Sequence, residues 1–115
     1  MKYSEILKKV QALAPHEYSD EEMLCWAREV NSDVLKNIEK NPKPSGEIKP
    51  ESVTIIPSPY DSMYVYYILA KIAYFQKDYD SYAVHNEQYE RRRDEYLAYY
   101  IRTNGSDTTS FKNWI

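Results

Sequence analysis

The spacing of apolar residues predicts helices that are separated by prolines and glycines. A first helix is predicted from about Tyr3 to Ala14, because its apolar residues recur at i, i+3, i+4 and i+7. Pro15 then stops this helix. A second helix is predicted to begin after Ser19, which forms a capping box with Glu22, and to continue as one element to about Lys40.

Two further helices are predicted in the second half of the chain. The third opens at Ser58-Pro59, a cap residue followed by proline at the first helical position. Lys71 is its only charge between Met63 and Gln76, so this helix is expected to be the central and most buried one. The fourth is capped by Asp78 and continues to about Thr103. Its residues at coiled-coil spacing are Tyr79, Tyr82, Asn86, Tyr89, Arg93, Tyr96 and Tyr100.

A long connection, residues 41–58, separates the second and third helices. Its prolines and glycine exclude a helix, and the β-branched stretch from Ser52 to Ile56 can pair as a short strand. The predicted fold class is therefore all-α, a small bundle of about four helices with a long Pro-rich loop. Residues 1–103 are interpreted as a single helical domain and residues 104–115 as a flexible C-terminal tail.

Composition narrows the classes of function. A chain of 115 residues with 43% hydrophobic content fits one folded domain. The net charge of −3 is too mild to attract nucleic acid or an anionic membrane. Cys25 is the only cysteine, so neither an intrachain disulfide nor a cysteine zinc cluster can form. The longest apolar run, Met63 to Ala70, is far shorter than the ~20 residues that span a bilayer. No membrane partner is expected.

The chain shows no recognisable catalytic pattern. His16 and His85 are far apart, and neither has a second ligand at metal spacing. Two isolated glycines exclude a phosphate-binding loop. We therefore expect no metal, no cofactor, no small-molecule ligand and no enzymatic activity. An enzyme of an unrecognised type is the weakest of the alternatives.

The densest basic cluster is Arg91, Arg92 and Arg93, and it is surrounded by acidic residues. Glu87 with Arg91, and Arg91 with Glu95, have the i,i+4 spacing of helical ion pairs. A salt-bridged helix surface is the favoured interpretation. The alternative is contact with a DNA backbone, which requires several subunits to place these arginines around a channel.

Aromatic residues favour a protein that binds other proteins. Tyrosine occurs 13 times. Its apolar ring and its hydroxyl suit both the hydrated edge of a core and a protein–protein interface. Most of these tyrosines are expected in the core and at its edge. Phe111, Trp114 and Ile115 follow a polar stretch, and they are expected either to fold back onto the chain's own helices or to insert into a neighbour.

The order of these segments resembles a known family. The similarity extends from about Tyr3 to Arg102, and its most specific parts are the sequence PSPYD at 57–61, the aromatic-aliphatic helix after it, and Asp78-Tyr79 through Tyr82. In these features the chain is similar to the small head–tail connector or adaptor proteins of tailed bacteriophages and of prophages in low-GC Gram-positive bacteria.

The resemblance implies an all-α structural protein that assembles as a ring beneath the portal, in the virion neck, after synthesis in the bacterial cytoplasm. Its implied partners are other copies of itself and the portal, tail or stopper proteins, with DNA touched only indirectly or within the channel. In the family, the loop between helices 2 and 3 and the C-terminal segment make subunit contacts. The corresponding candidate contacts are Ile48, Val53, Ile55, Ile56, Phe111, Trp114 and Ile115.

A cytosolic helical adaptor is the alternative. Residues 70–89 locally resemble one tetratricopeptide repeat, with an Asp-Tyr turn between two helices. Only one such unit is visible and the fourth helix is long for it, whereas stable solenoids need several units. An ordered groove that binds a peptide would favour this alternative.

Overall fold

The computed structural model describes residues 1–40 and 48–104. Within these ranges the chain forms α1 (Tyr3–Leu13), α2 (Asp20–Asp33), α3 (Ser62–Phe75) and α4 (Tyr79–Thr103). No strand occurs in the described ranges, so the predicted class, a small all-α bundle of four helices, is confirmed. None of the helices in these ranges is long and apolar enough to cross a membrane.

The first two helices follow their predicted patterns closely. α1 ends at Leu13, one residue before the predicted end, and buries Tyr3, Ile6, Leu7 and Val10. Ser19 caps α2, because its Oγ accepts a hydrogen bond of 3.2 Å from the backbone N–H of Glu22.

The C-terminal half of the second helical segment contains a feature that the pattern did not predict. α2 ends at Asp33 and continues directly into a π-helical turn, Val34–Ile38. Lys40 then adopts a left-handed φ of 54°, two residues after the turn ends. Side chains on both sides of this turn, those of Asp33 and Glu39, accept hydrogen bonds from α4. The two residues that flank the turn therefore connect this segment to α4.

The third helix is central, as predicted, but it begins later than predicted. Eight of the 14 residues of α3 are buried. The prediction that it opens at Ser58-Pro59 is wrong, because α3 begins at Ser62 after a turn closed by the Tyr60 N–H and the Pro57 carbonyl at 3.0 Å. Ser58 does not cap a helix. Its hydroxyl donates to the buried Asp61 carboxylate at 2.7 Å, and that carboxylate also lies 3.3 Å from the Met1 ammonium group.

α4 has the predicted cap and the predicted bounds. Asp78 Oδ1 accepts a hydrogen bond of 3.3 Å from the Ser81 N–H. The predicted seam is buried only in part, because Tyr89 and Tyr96 are buried whereas Tyr79 is 58% exposed. The first turn of α4 is thus not covered by the other described helices and is exposed to solvent.

The predicted short strand at Ser52–Ile56 is reduced to a single antiparallel bridge between Lys2 and Val53. Thr54 donates its N–H to the Met1 carbonyl at 2.8 Å, and Tyr3 donates to the Ser52 carbonyl at 3.1 Å. The Ser4 N–H also donates to the Pro50 carbonyl at 2.8 Å, so the first two residues of α1 give their N–H groups to the loop. The predicted loop residues 41–47 and tail residues 105–115 lie outside the described residues, so the flexible tail stays a prediction.

Candidate interaction site

A buried polar network joins three of the helices. Asn31 is fully buried, and its Nδ2 donates to the Tyr3 hydroxyl at 2.9 Å. The Tyr64 hydroxyl donates to Asn31 Oδ1 and accepts the Ile56 N–H at 3.3 Å. Burial raises the pKa of Tyr64 well above its usual range. Because buried polar groups need partners, these contacts fix α1, α2, α3 and the loop relative to one another.

A second polar cluster lies between α2 and α4. Arg93 binds Asp33 through two nitrogens, Nε at 2.6 Å and Nη2 at 3.3 Å. The Tyr89 hydroxyl and the Asn37 amide also donate to Asp33, at 3.2 Å and 2.7 Å. Burial alone would raise the pKa of Asp33, but the hydrogen bonds from Arg93 and Asn37 and the charge of Arg93 outweigh it and lower that pKa.

An open cleft of about 420 Å³ surrounds this cluster, and its wall includes Glu29 and Tyr67. The Tyr67 hydroxyl donates to Glu29, and Lys71 Nζ lies 3.5 Å from the same carboxylate. The charges of Glu29 and Asp33 are therefore already paired with cations of the chain. Across residues 1–40 and 48–104, no group of three or more His, Cys, Asp or Glu residues is placed to hold a metal ion. The polar contacts in this cleft therefore hold α2 against α3 and against α4.

The two histidines occupy separate places. His16 Nδ1 accepts the Tyr18 N–H at 3.0 Å, while its buried Nε2 has no partner within the described part of the chain. His85 lies on α4, where partial burial lowers its pKa and the charge of Asp78 offsets part of that effect. The structure thus does not bring the two histidines into one site.

The three arginines of the basic cluster have three different environments. Arg91 pairs with Glu87 at 3.4 Å, as predicted. Glu95 pairs with Arg92 at 3.0 Å and not with Arg91, because residues three apart are also neighbours on a helix. Arg93 turns towards α2 and binds Asp33. Any contact with DNA would therefore involve Arg91 and Arg92, and this hypothesis stays a prediction.

The predicted contact residues of the loop divide into exposed and buried ones. Val53 is 69% exposed and Ile55 is 43% exposed, whereas Ile48 is partly buried against the core. Ile56 is fully buried in the chain's own core, so its side chain is not available to a partner in this conformation. Phe111, Trp114 and Ile115 lie outside the described residues.

The most exposed aromatic surface lies at the turn between α3 and α4, and sequence reasoning missed it. We call it the aromatic face: Tyr74, Phe75, Tyr79 and Tyr82. Tyr74 and Phe75 are 51% and 54% exposed. The Tyr74 ring lies 5.7, 6.0 and 5.5 Å from the rings of Phe75, Tyr79 and Tyr82. A contiguous exposed apolar surface of this kind is a candidate interaction site.

A groove continues this face towards α2. The Phe75 groove, about 320 Å³ in volume, is formed by Tyr18, Glu22, Cys25, Trp26 and Phe75. The Trp26 indole is nearly parallel to the Phe75 ring, with centroids 5.9 Å apart. Glu22 supplies the only carboxylate of the groove, and among the described residues no lysine or arginine forms a salt bridge with it. The groove can thus accept an apolar group next to a cation.

The sequence did contain one signal for this surface. α3 is apolar on every face, so complete burial would require neighbours on all sides up to its last residue. The chain turns at Gln76–Asp78, and the described residues cover Tyr74 and Phe75 only in part, so that both remain more than half exposed.

Comparison with known proteins adds no relative: no family model, no curated protein and no solved structure matches this chain.

Proposed function

We propose that this chain is a structural assembly subunit of a tailed phage or prophage, a head–tail connector or adaptor that joins a ring under the portal and docks tail or stopper proteins. The observation that supports an assembly role is the aromatic face, an apolar surface that the chain's described residues leave uncovered. The phage context is supported by the sequence resemblance.

Ring assembly requires two different, complementary surfaces on each subunit, so that a head-to-tail contact can repeat and close. Among the exposed apolar side chains of the described residues, two groups lie in separate places. One is the aromatic face at the end of α3, and the other is the pair Val53 and Ile55 in the loop that precedes α3. The 14 residues of α3 between them span about 21 Å. This separation suits contacts with two different neighbours.

The internal networks support the same proposal. The Asn31 network ties the loop to α1, α2 and α3, and the Asp33 cluster ties α2 to α4. The two apolar surfaces are thereby held in a fixed relation before any partner binds. Such preorganisation lowers the entropic cost of association.

Mass spectrometry of purified, induced phage particles tests the proposal. The copy number of this chain is measured against that of the portal protein. A number near that of the portal and far below that of the capsid protein is the expected result. Absence from intact particles, with the chain present in the same lysate, would contradict a virion role.

A cytosolic helical adaptor is the second candidate, and the Phe75 groove is the observation that favours it. A groove between two helices can receive a peptide from a different protein. Against it, α4 has 25 residues and α3 has 14, which is an unequal pair for a 34-residue repeat. Recovery of the chain with host proteins in lysate fractions, and not with particles, is the result that this candidate predicts.

A further inference from the structure

We propose that the Phe75 groove of one copy receives residues 111–115 of a second copy. This inference rests on the proposed function, because it names the contact by which one assembly subunit binds the next.

The chemistry of the segment matches that of the groove. Residues 111–115 read Phe-Lys-Asn-Trp-Ile, so aromatic rings stand on both sides of a lysine. The groove offers the stacked rings of Trp26 and Phe75, and it has the carboxylate of Glu22 among its lining groups. Aromatic rings gain from stacked and edge-on packing, and a lysine beside a carboxylate gains from charge attraction.

The length of the chain excludes docking of Phe111 within one copy. The groove lies at the start of α4, whereas residue 104 follows its last turn, and the 25 residues of α4 span about 37 Å. Seven residues separate Asn104 from Phe111, and even fully extended they reach only about 25 Å. Phe111 therefore falls about 12 Å short of the groove of its own copy, and a second copy must supply it.

Such a contact has a defined symmetry. Each copy donates one segment and offers one groove, and the two surfaces are different, so the contact is heterologous. Repetition of a heterologous contact generates a closed ring when the rotation between subunits permits closure. A reciprocal exchange between only two copies is the smallest closed form of the same contact.

Cys25 provides a direct test, because it is exposed, lines the groove and is the only cysteine of the chain. The full chain carrying Asn113→Cys, which keeps Lys112, is oxidised under dilute conditions as a mixture of isotopically labelled and unlabelled protein. The expected product is a disulfide between Cys25 of one copy and the introduced cysteine of the other, identified by the mixed isotope pair in the cross-linked peptides. Ser106→Cys, which lies outside the segment and five residues before Phe111, is the matched control.

The proposed contact predicts that a cysteine within the segment cross-links to Cys25 faster than the control cysteine does, and that this difference depends on Phe75. Cross-linking of the Asn113→Cys chain is expected to be at least about tenfold faster than that of the control, and Phe75→Ala is expected to remove about the same factor, as for a central interface aromatic. Equal rates for the two cysteine positions, or a disulfide formed mainly within one copy, would overturn the proposal. Circular dichroism of the Phe75→Ala chain checks that the helices are intact.

A charge exchange tests the pairing without any cysteine. Self-association, measured by sedimentation velocity on the full chain, is expected to weaken in Glu22→Lys and in Lys112→Glu and to recover when both changes are combined. A double variant as weak as the single ones would overturn the assignment of Lys112 to Glu22.

The two proposals fail separately. Preferential cross-linking by a chain that is absent from phage particles would overturn the connector function and keep the groove contact. A chain present in particles at the portal's copy number, without preferential cross-linking, would overturn the groove contact and keep the connector function.

Discussion

The two ends of the α3–α4 hairpin are both rich in tyrosine, but they differ in what covers them. At the end where α3 begins and α4 finishes, the Tyr60 ring lies 4.8 Å from Tyr99 and 5.6 Å from Tyr96. The Tyr96 hydroxyl donates to Glu39 at 2.9 Å, and Tyr96 is buried. At the opposite end, Tyr74 and Tyr79 are both more than half exposed.

The difference shows that residue type does not decide between core and interface. The first end is covered because the segment around Tyr60 and the π-helical turn before Glu39 pack against α4. At the second end, among the described residues, α2 and Tyr18 approach Phe75, and Trp26 of α2 stacks on its ring. The apolar surface at the covered end is already buried and stabilises the fold. The apolar surface at the open end can still be buried by a partner, and each Å² buried would favour association by about 25 cal/mol.

The largest expected effect comes from alkaline pH, and it arises from the buried tyrosines. Burial raises the pKa of Tyr64, Tyr67, Tyr89 and Tyr96 above the usual 10.0. A group whose pKa is raised in the folded state contributes stability that is full below the unfolded pKa and is lost as the pH rises beyond it. We therefore expect the free energy of unfolding to fall progressively as the pH rises above about 10, until the helices are lost.

Helix content and phenolate absorbance, recorded together during an alkaline titration, check this expectation. Ionisation of the buried tyrosines is expected to coincide with loss of the helical signal. Complete ionisation of all 13 tyrosines while the helices persist would contradict the described burial.

The next largest effect is expected at the Asn31 network. Asn31→Leu leaves the buried hydroxyls of Tyr3 and Tyr64 without their partner, which costs roughly 3 kcal/mol of unfolding free energy. Asn86→Leu is the control, since the Asn86 amide bonds only to Glu90 on an exposed part of α4, and its change is expected to stay within about 0.5 kcal/mol. Urea unfolding measures both, and equal losses would refute the structural role of Asn31.

A smaller effect is expected at the Asp33 cluster. Arg93→Met removes the bidentate partner of Asp33, and because both side chains are partly exposed we expect a loss of about 1–2 kcal/mol. Arg91→Met, which breaks the exposed pair with Glu87, is expected to cost less than about 0.5 kcal/mol. Thermal unfolding of the two variants side by side measures this difference, and the reverse order would contradict the described geometry.

The smallest effect on folding is expected from the tail. Deletion of residues 111–115 is expected to leave the described bundle folded, because the core is formed by residues of the described ranges, and to weaken self-association. Circular dichroism and sedimentation velocity of the truncated chain measure the two properties. Unfolding of the truncated chain would show that these residues complete the core and would remove the contrast between the two ends.

Several local features were predictable from the sequence because the physics behind them is local. The caps at Ser19 and Asp78 involve backbone groups only three residues away, and the apolar stripe of α1 follows from helical periodicity. The same local reasoning failed at Ser58, whose pattern is that of a helix cap. The hydroxyl of Ser58 binds Asp61, and that carboxylate is oriented towards the distant Met1 amine.

The sequence by itself thus determined the helical class, the positions of the helices to within a few residues and the identity of the central helix. Only the tertiary structure decided that Arg93 binds Asp33, 60 positions away, that Ile56 lies in the core, and that Phe75 is left exposed beside Trp26. Helix periodicity and capping depend on neighbours within one or two turns. The burial of a side chain and the identity of its partner depend on which elements pack together. Separation along the sequence does not indicate this.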